Sequence, residues 1–165
     1  MQHGDMTTNS IPDFFETEFD EARRILHFAY KRTIHPTTPE HLEMKFLALR
    51  NLLDQYISSG RIYLIIDMAN FILEPELKTK YAELVRGIRD TYIMPSGIAR
   101  YGFQITRITV RQGYNIYLGE SPNIFNSRGE AYAYINSLID RHREAGTTTD
   151  SSTPVAESSG RLSEH

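Results

Sequence analysis

Residues 62–71 read IYLIIDMANF, and the fold turns on how this stretch is read. Ile62, Leu64, Ile65 and Ile66 form a short apolar run with little alternation, the pattern of a strand covered on both faces. Asp67 ends the run on an acid, and small and polar residues follow. A carboxylate at that point can serve catalysis, bind a ligand, or accept hydrogen bonds from the amides of its own turn.

The flanks on either side carry helical patterns. Upstream, residues 37–60 read TTPEHLEMKFLALRNLLDQYISSG. Thr38 can cap the free amides, Pro39 suits the first helical position, and Gly60 lies where the chain would leave the helix. Leu42, Phe46, Leu49, Leu53, Tyr56 and Ile57 fall on one face. Downstream, Pro75 opens a second helix, in which Leu77, Tyr81, Leu84, Val85, Ile88 and Tyr92 recur at helical spacing. MPSG breaks it, and IARYGF reads as another strand.

Further out, residues 14–32 hold two strand candidates. Phe15, Thr17 and Phe19 alternate with Glu16 and Glu18, and Ile25, Leu26, Phe28 and Tyr30 form a second run. The polar DEAR between them is a hairpin connection without an Asn-Gly or Asp-Gly signal. Residues 104–118 are ambiguous. Ile105, Ile108, Gln112 and Ile116 would share a helical face, whereas Thr106, Thr109 and Val110 favour strand and Gly113 costs a helix about 1 kcal/mol. Length and the surrounding alternation favour helix. NIF after Pro122 is a short strand, Ser127 and Glu130 have capping-box spacing, and Ala131, Ile135, Leu138 and Ile139 line a last helix. The predicted order is β-β-α-β-α-β-α-β-α: an α/β domain with a mixed, mainly parallel sheet of about five strands.

Length and composition bound the rest. A chain of 165 residues with 40% hydrophobic content fits one domain with a real core. From Gly146 the chain turns to Ser, Thr, Gly and Pro, which predicts a disordered tail over residues 146–165. Residues 1–10 read as a flexible N-terminus, and the folded unit is residues 11–145. The net charge of -3 gives no global pull toward nucleic acid. No stretch has the apolar length of a membrane span, and the N-terminus lacks the regions of a signal peptide. With no cysteine, thiol catalysis and zinc-thiolate sites are excluded. A cytoplasmic location is the expectation.

The element order resembles the STAS fold of bacterial anti-sigma factor antagonists, and more closely the small STAS-like proteins that begin with two strands. GRIYLIIDMANF, GIARYGF with the Arg-containing segment after it, and NIFNSRGEAYAYINSLI carry the resemblance, which spans residues 14–143. It implies a non-enzymatic regulatory module of bacterial signalling that binds a protein partner. In that family a Ser or Thr in the loop after the strand matching residues 62–67 is sometimes phosphorylated. Residues 68–72 here contain no hydroxyl residue, so that switch is not carried over. Some STAS-like proteins resemble lipid-binding CRAL-TRIO domains in fold, which keeps a carrier or sensor of a small, partly apolar ligand as the alternative. A homodimer is compatible with either reading.

In open α/β sheets ligands gather beyond the carboxyl ends of the strands. Asp67, Asn70, Phe71, Arg100, Tyr101 and Arg107 would meet there and bind a partner or ligand, Phe71 as an exposed aromatic anchor. Arg107 and Arg111, one helical turn apart, can hold an anion or an acidic partner. An enzyme using Asp67 is a third reading and needs a second ionisable group within reach of it. His27, His35 and His41 have no metal-ligand spacing. No phosphate loop, dinucleotide fingerprint, nucleophile elbow or HExxH motif is present. The expectation is therefore no catalytic residue, no metal and no cofactor.

Overall fold

The computed structural model describes residues 14–102 and 123–162, with side chains as far as residue 146. The expected flexible N-terminus at residues 1–10 lies outside the described residues, as does the ambiguous stretch 104–118 with Arg107 and Arg111.

Among the described residues five strands form one sheet in the order β1-β2-β3-β4-β5. They are β1 (Phe15–Asp20), β2 (Ile25–Tyr30), β3 (Ile62–Asp67), β4 (Ile93–Tyr101) and β5 (Ile124–Phe125). β1 runs antiparallel to β2, while β2 with β3, β3 with β4 and β4 with β5 pair in parallel, so the sheet is mixed. The β1–β2 connection does without Asn-Gly because Arg24 itself takes the left-handed conformation, with φ of 59°. That costs a non-glycine residue about 1–2 kcal/mol. The Arg24 side chain returns part of it by donating to the carbonyls of Tyr56 and Gly60, each at 2.7 Å.

Three helices among the described residues cover the sheet: α1 (Pro39–Asp54), α2 (Lys78–Tyr92) and α3 (Arg128–Leu162). Thr38 caps α1 by accepting from the His41 amide at 3.1 Å. Pro75 opens a short 3-10 turn, Pro75–Leu77, and α2 follows from Lys78. At the start of α3, Ser127 accepts from the Glu130 amide at 3.2 Å and the Glu130 carboxylate accepts from the Asn126 amide at 2.9 Å. The backbone of α3 continues across the Ser- and Thr-rich stretch expected to be a tail; among its residues with described side chains, the last buried one is Ile139.

MPSG does not separate α2 from the next strand. It lies inside β4, which begins at Ile93 straight from the helix. Ser96 takes φ of 60° there and the register with β3 shifts between Ile62 and Leu64, so the strand bends at its start and runs regularly only from Ile98.

Period-two alternation divides the core between the two faces. Leu26, Phe28, Leu64, Ile66 and Ile98 pack under α1 and α2. Ile25, Tyr63, Ile65, Ala99 and Tyr101 pack under α3 with Ala131, Ile135, Leu138 and Ile139. All of Ile62–Ile66 is buried, as expected of a strand covered on both sides.

Candidate functional site at the carboxyl ends of the strands

Asp67 is half-buried at the end of β3, and its Oδ1 accepts from the Ala69 amide at 2.9 Å. Gly102, with φ of 86°, presses against this turn so closely that a Cβ there would lie 2.6 Å from Asp67 Oδ1. The Met68 amide donates to the Tyr101 carbonyl at 2.8 Å, tying the turn to the end of β4. Asn70 donates its side-chain amide to the Tyr30 carbonyl at 2.9 Å, and its own carbonyl accepts from Ile34 at 2.7 Å. Ile72 then donates to the Ile34 carbonyl, so a strap around Ile34 pairs with the loop around Phe71.

Two of the residues expected at this end as recognition groups are core instead. Phe71 was expected on an exposed loop; it is only 8% exposed, with its ring stacked on Tyr30 at 5.4 Å and tilted against Tyr81 at 5.7 Å. The bridge to Ile34 turns the loop inward, which a reading of short-range pattern cannot register. Arg100 was expected beside Tyr101; it is 4% exposed and points to the opposite face, under α1 and α2. Adjacent strand residues face opposite sides. Asp67 and Tyr101 do come together, being paired in register across β3 and β4.

On the α3 face the sheet ends carry a cluster that short-range motifs did not single out. His27, 5% exposed on β2, shares a 2.7 Å hydrogen bond between Nε2 and the Tyr101 hydroxyl. Its ring stacks on Tyr101 at 5.9 Å and on Tyr132 of α3 at 6.1 Å. Arg128 lies over the Tyr132 ring at 5.4 Å and pairs with Glu18 of β1. Burial, with the nearby Arg128 charge, lowers the His27 pKa, although Glu18 and Asp67 oppose this. Burial, with the Asp67 charge, pushes the Tyr101 hydroxyl up to about 12. Alternation in ILHFAY held the signal for His27: it shares a face with Ile25 and Ala29, away from Leu26, Phe28 and Tyr30.

On the α1–α2 face, Arg100 lines a small cavity with Phe28, Tyr30, Phe46, Met68 and Tyr81. Its volume is about 20 Å³, room for one water molecule. Desolvation raises the Tyr30 pKa well above its usual value, with the Tyr81 hydroxyl adding to the effect and Arg100 opposing it.

The histidines named in the sequence lie apart: His27 in the sheet, His35 on the strap bonded to Glu74, and His41 in the first turn of α1. Among the described residues no group of three or more His, Asp or Glu side chains could hold a metal ion. No described helix is long and apolar enough to cross a membrane. Among the described residues three large apolar side chains face solvent: Met44 at 67% and Leu47 at 59%, one turn apart on the outer side of α1, and Ile72 at 40% on the loop after β3.

No family model matches the chain, and no curated protein is similar to it in sequence.

Proposed function

We propose that the protein is a non-enzymatic, STAS-like regulatory module that works by binding a protein partner, with the outer face of α1 as the contact surface. The observation that carries this reading is the exposed pair Met44 and Leu47. An aliphatic pair at i, i+3 spacing is the kind of anchor a helix face offers to a partner's groove or helix. Glu40 and Glu43 lie beside it, exposed on the first turns of the helix, with Glu43 paired to Lys80 of α2.

The alternative of a carrier or sensor for a small apolar ligand has weaker support. A site for an organic molecule usually needs several hundred Å³, and the space under α1 and α2 is about 20 Å³. The enzyme reading asks Asp67 to act as acid or base, and its Oδ1 already accepts from the Ala69 amide.

The test is affinity capture with the folded protein and with a Met44→Ser/Leu47→Ser variant, each checked by circular dichroism. A partner held by the first and lost by the second, at unchanged ellipticity, supports the reading. An identical set of captured proteins removes α1 from the interface.

A further inference from the structure

We propose that His27 is an acid-released latch holding the first turns of α3 against the sheet. The latch is built from three strands and the helix. His27 of β2 is bonded to Tyr101 of β4 at 2.7 Å, and its ring stacks on Tyr101 and on Tyr132 of α3. Asp67 of β3 is near enough to act on both His27 and Tyr101. The other charged groups facing His27 are Glu18 of β1 and Arg128 of α3, which pair with one another. Burial and the Arg128 charge outweigh Glu18 and Asp67, and His27 is 5% exposed.

Neutral histidine suits this place. A proton on the ring puts an imidazolium near the Arg128 guanidinium and away from water, and fixes Nε2 as a donor toward Tyr101. When α3 lifts, Tyr132 and Arg128 leave with it, and the ring regains water and its ordinary pKa. The lifted form then binds the proton more strongly than the docked form. Acid shifts the balance toward it by at most about tenfold per pH unit for one proton. The far end of the docked segment is held separately, by His142 Nδ1 and the Tyr63 hydroxyl at 2.7 Å. Release at His27 thus loosens the first turns of the helix over Ala131 and Ile135, which belong to the α3-side core, against the remaining ties of Tyr134 to the Ser96 carbonyl and of Asn136 to Arg23, each at 2.9 Å.

Hydrogen exchange followed by NMR tests the latch, with rates corrected for the intrinsic pH dependence of exchange. Between pH 7 and pH 5, protection of the amides at residues 131–135 should fall, by no more than the one-proton limit of about tenfold per unit. Amides at residues 49–53 of α1, on the opposite face, should hold. His27→Gln, which keeps hydrogen-bonding capacity and cannot titrate, should remove the pH dependence at residues 131–135. Three results overturn the proposal: protection there that is flat with pH, an equal fall in α1, or an unchanged pH dependence in His27→Gln. Should that variant fail to fold, the His27 ring is titrated directly in the wild-type protein. A midpoint below 6.5 supports the latch, and a midpoint at or above 6.5 overturns it.

Discussion

The Phe71 ring stacks on Tyr30 with centroids 5.4 Å apart, so the loop after β3 reaches back to cover the end of β2. Phe71 is also tilted against Tyr81 of α2. Phe71→Ala should therefore destabilise the protein by about 3–5 kcal/mol, the range for deleting a buried aromatic. Urea unfolding followed by ellipticity measures this. A loss under about 1 kcal/mol, the scale of a surface substitution, would place the ring in solvent.

Gly102→Ala tests the turn that holds Asp67. The new methyl meets Asp67 Oδ1 at 2.6 Å and the Ala69 nitrogen at 3.3 Å, at a φ of 86° that an L-residue adopts reluctantly. The expected cost is about 2–3 kcal/mol, from left-handed strain and the displaced carboxylate. Removing the carboxylate first relieves the clash. Asp67→Ala/Gly102→Ala should accordingly lose less stability than the two single changes added together, a coupling that a double-mutant cycle reads directly.

Thr38→Ala removes the acceptor for the His41 amide at the start of α1. About 1 kcal/mol is expected, the usual value for an N-cap. A matching loss in denaturant midpoint with an unchanged m-value would show that the cap acts on the folded state alone.

Alkali should unfold the protein through its buried phenols. Burial, with the Asp67 charge, raises the Tyr101 pKa to about 12. Its neutral form is thus favoured in the folded state, and the stability this represents is complete below pH 10, the unfolded value. It is lost as pH rises from about 10 toward 12. Burial raises Tyr30 well above its usual value too, so Tyr30 acts in the same direction. Tyrosinate absorbance near 295 nm, recorded beside ellipticity, should show late tyrosines ionising together with the loss of structure. Full ionisation before any change in ellipticity would contradict this.

Local pattern carried the elements well and the site poorly, for a physical reason. Thr38, Pro39 and the Leu42–Phe46–Leu49–Leu53 stripe specify α1 within a few residues of one another, because capping and amphipathicity act over one or two turns. The unalternating Ile62–Ile66 run declared a strand covered on both faces in the same way. The start of β4 was hidden, since Pro95 and Gly97 read as a break while Ile93, ahead of them, already pairs with Ile62. The site needed information of longer range. Phe71 is core because Ile34, 37 positions earlier, bridges to it. His27 meets Tyr101 across β3 and Tyr132 from a helix more than a hundred residues away. Arg100 and Tyr101 belong to opposite layers, and a list drawn up by nearness in sequence joins what the pleat separates.

The unbroken strand order β1-β2-β3-β4-β5 bears on how the chain acquires its shape during synthesis. Among the described residues every strand after the first docks on the described strand before it, and none is inserted between two earlier ones. The sheet can grow by accretion at one edge as the polypeptide emerges, its amino-terminal hairpin serving as the template. The growing edge is then always the newest strand. Until β4 is made, the exposed hydrogen-bonding row is that of β3, whose IYLII run is apolar on both sides. A nascent chain that has emerged from the ribosome as far as about residue 70 would present that edge unprotected, open to pairing with another chain.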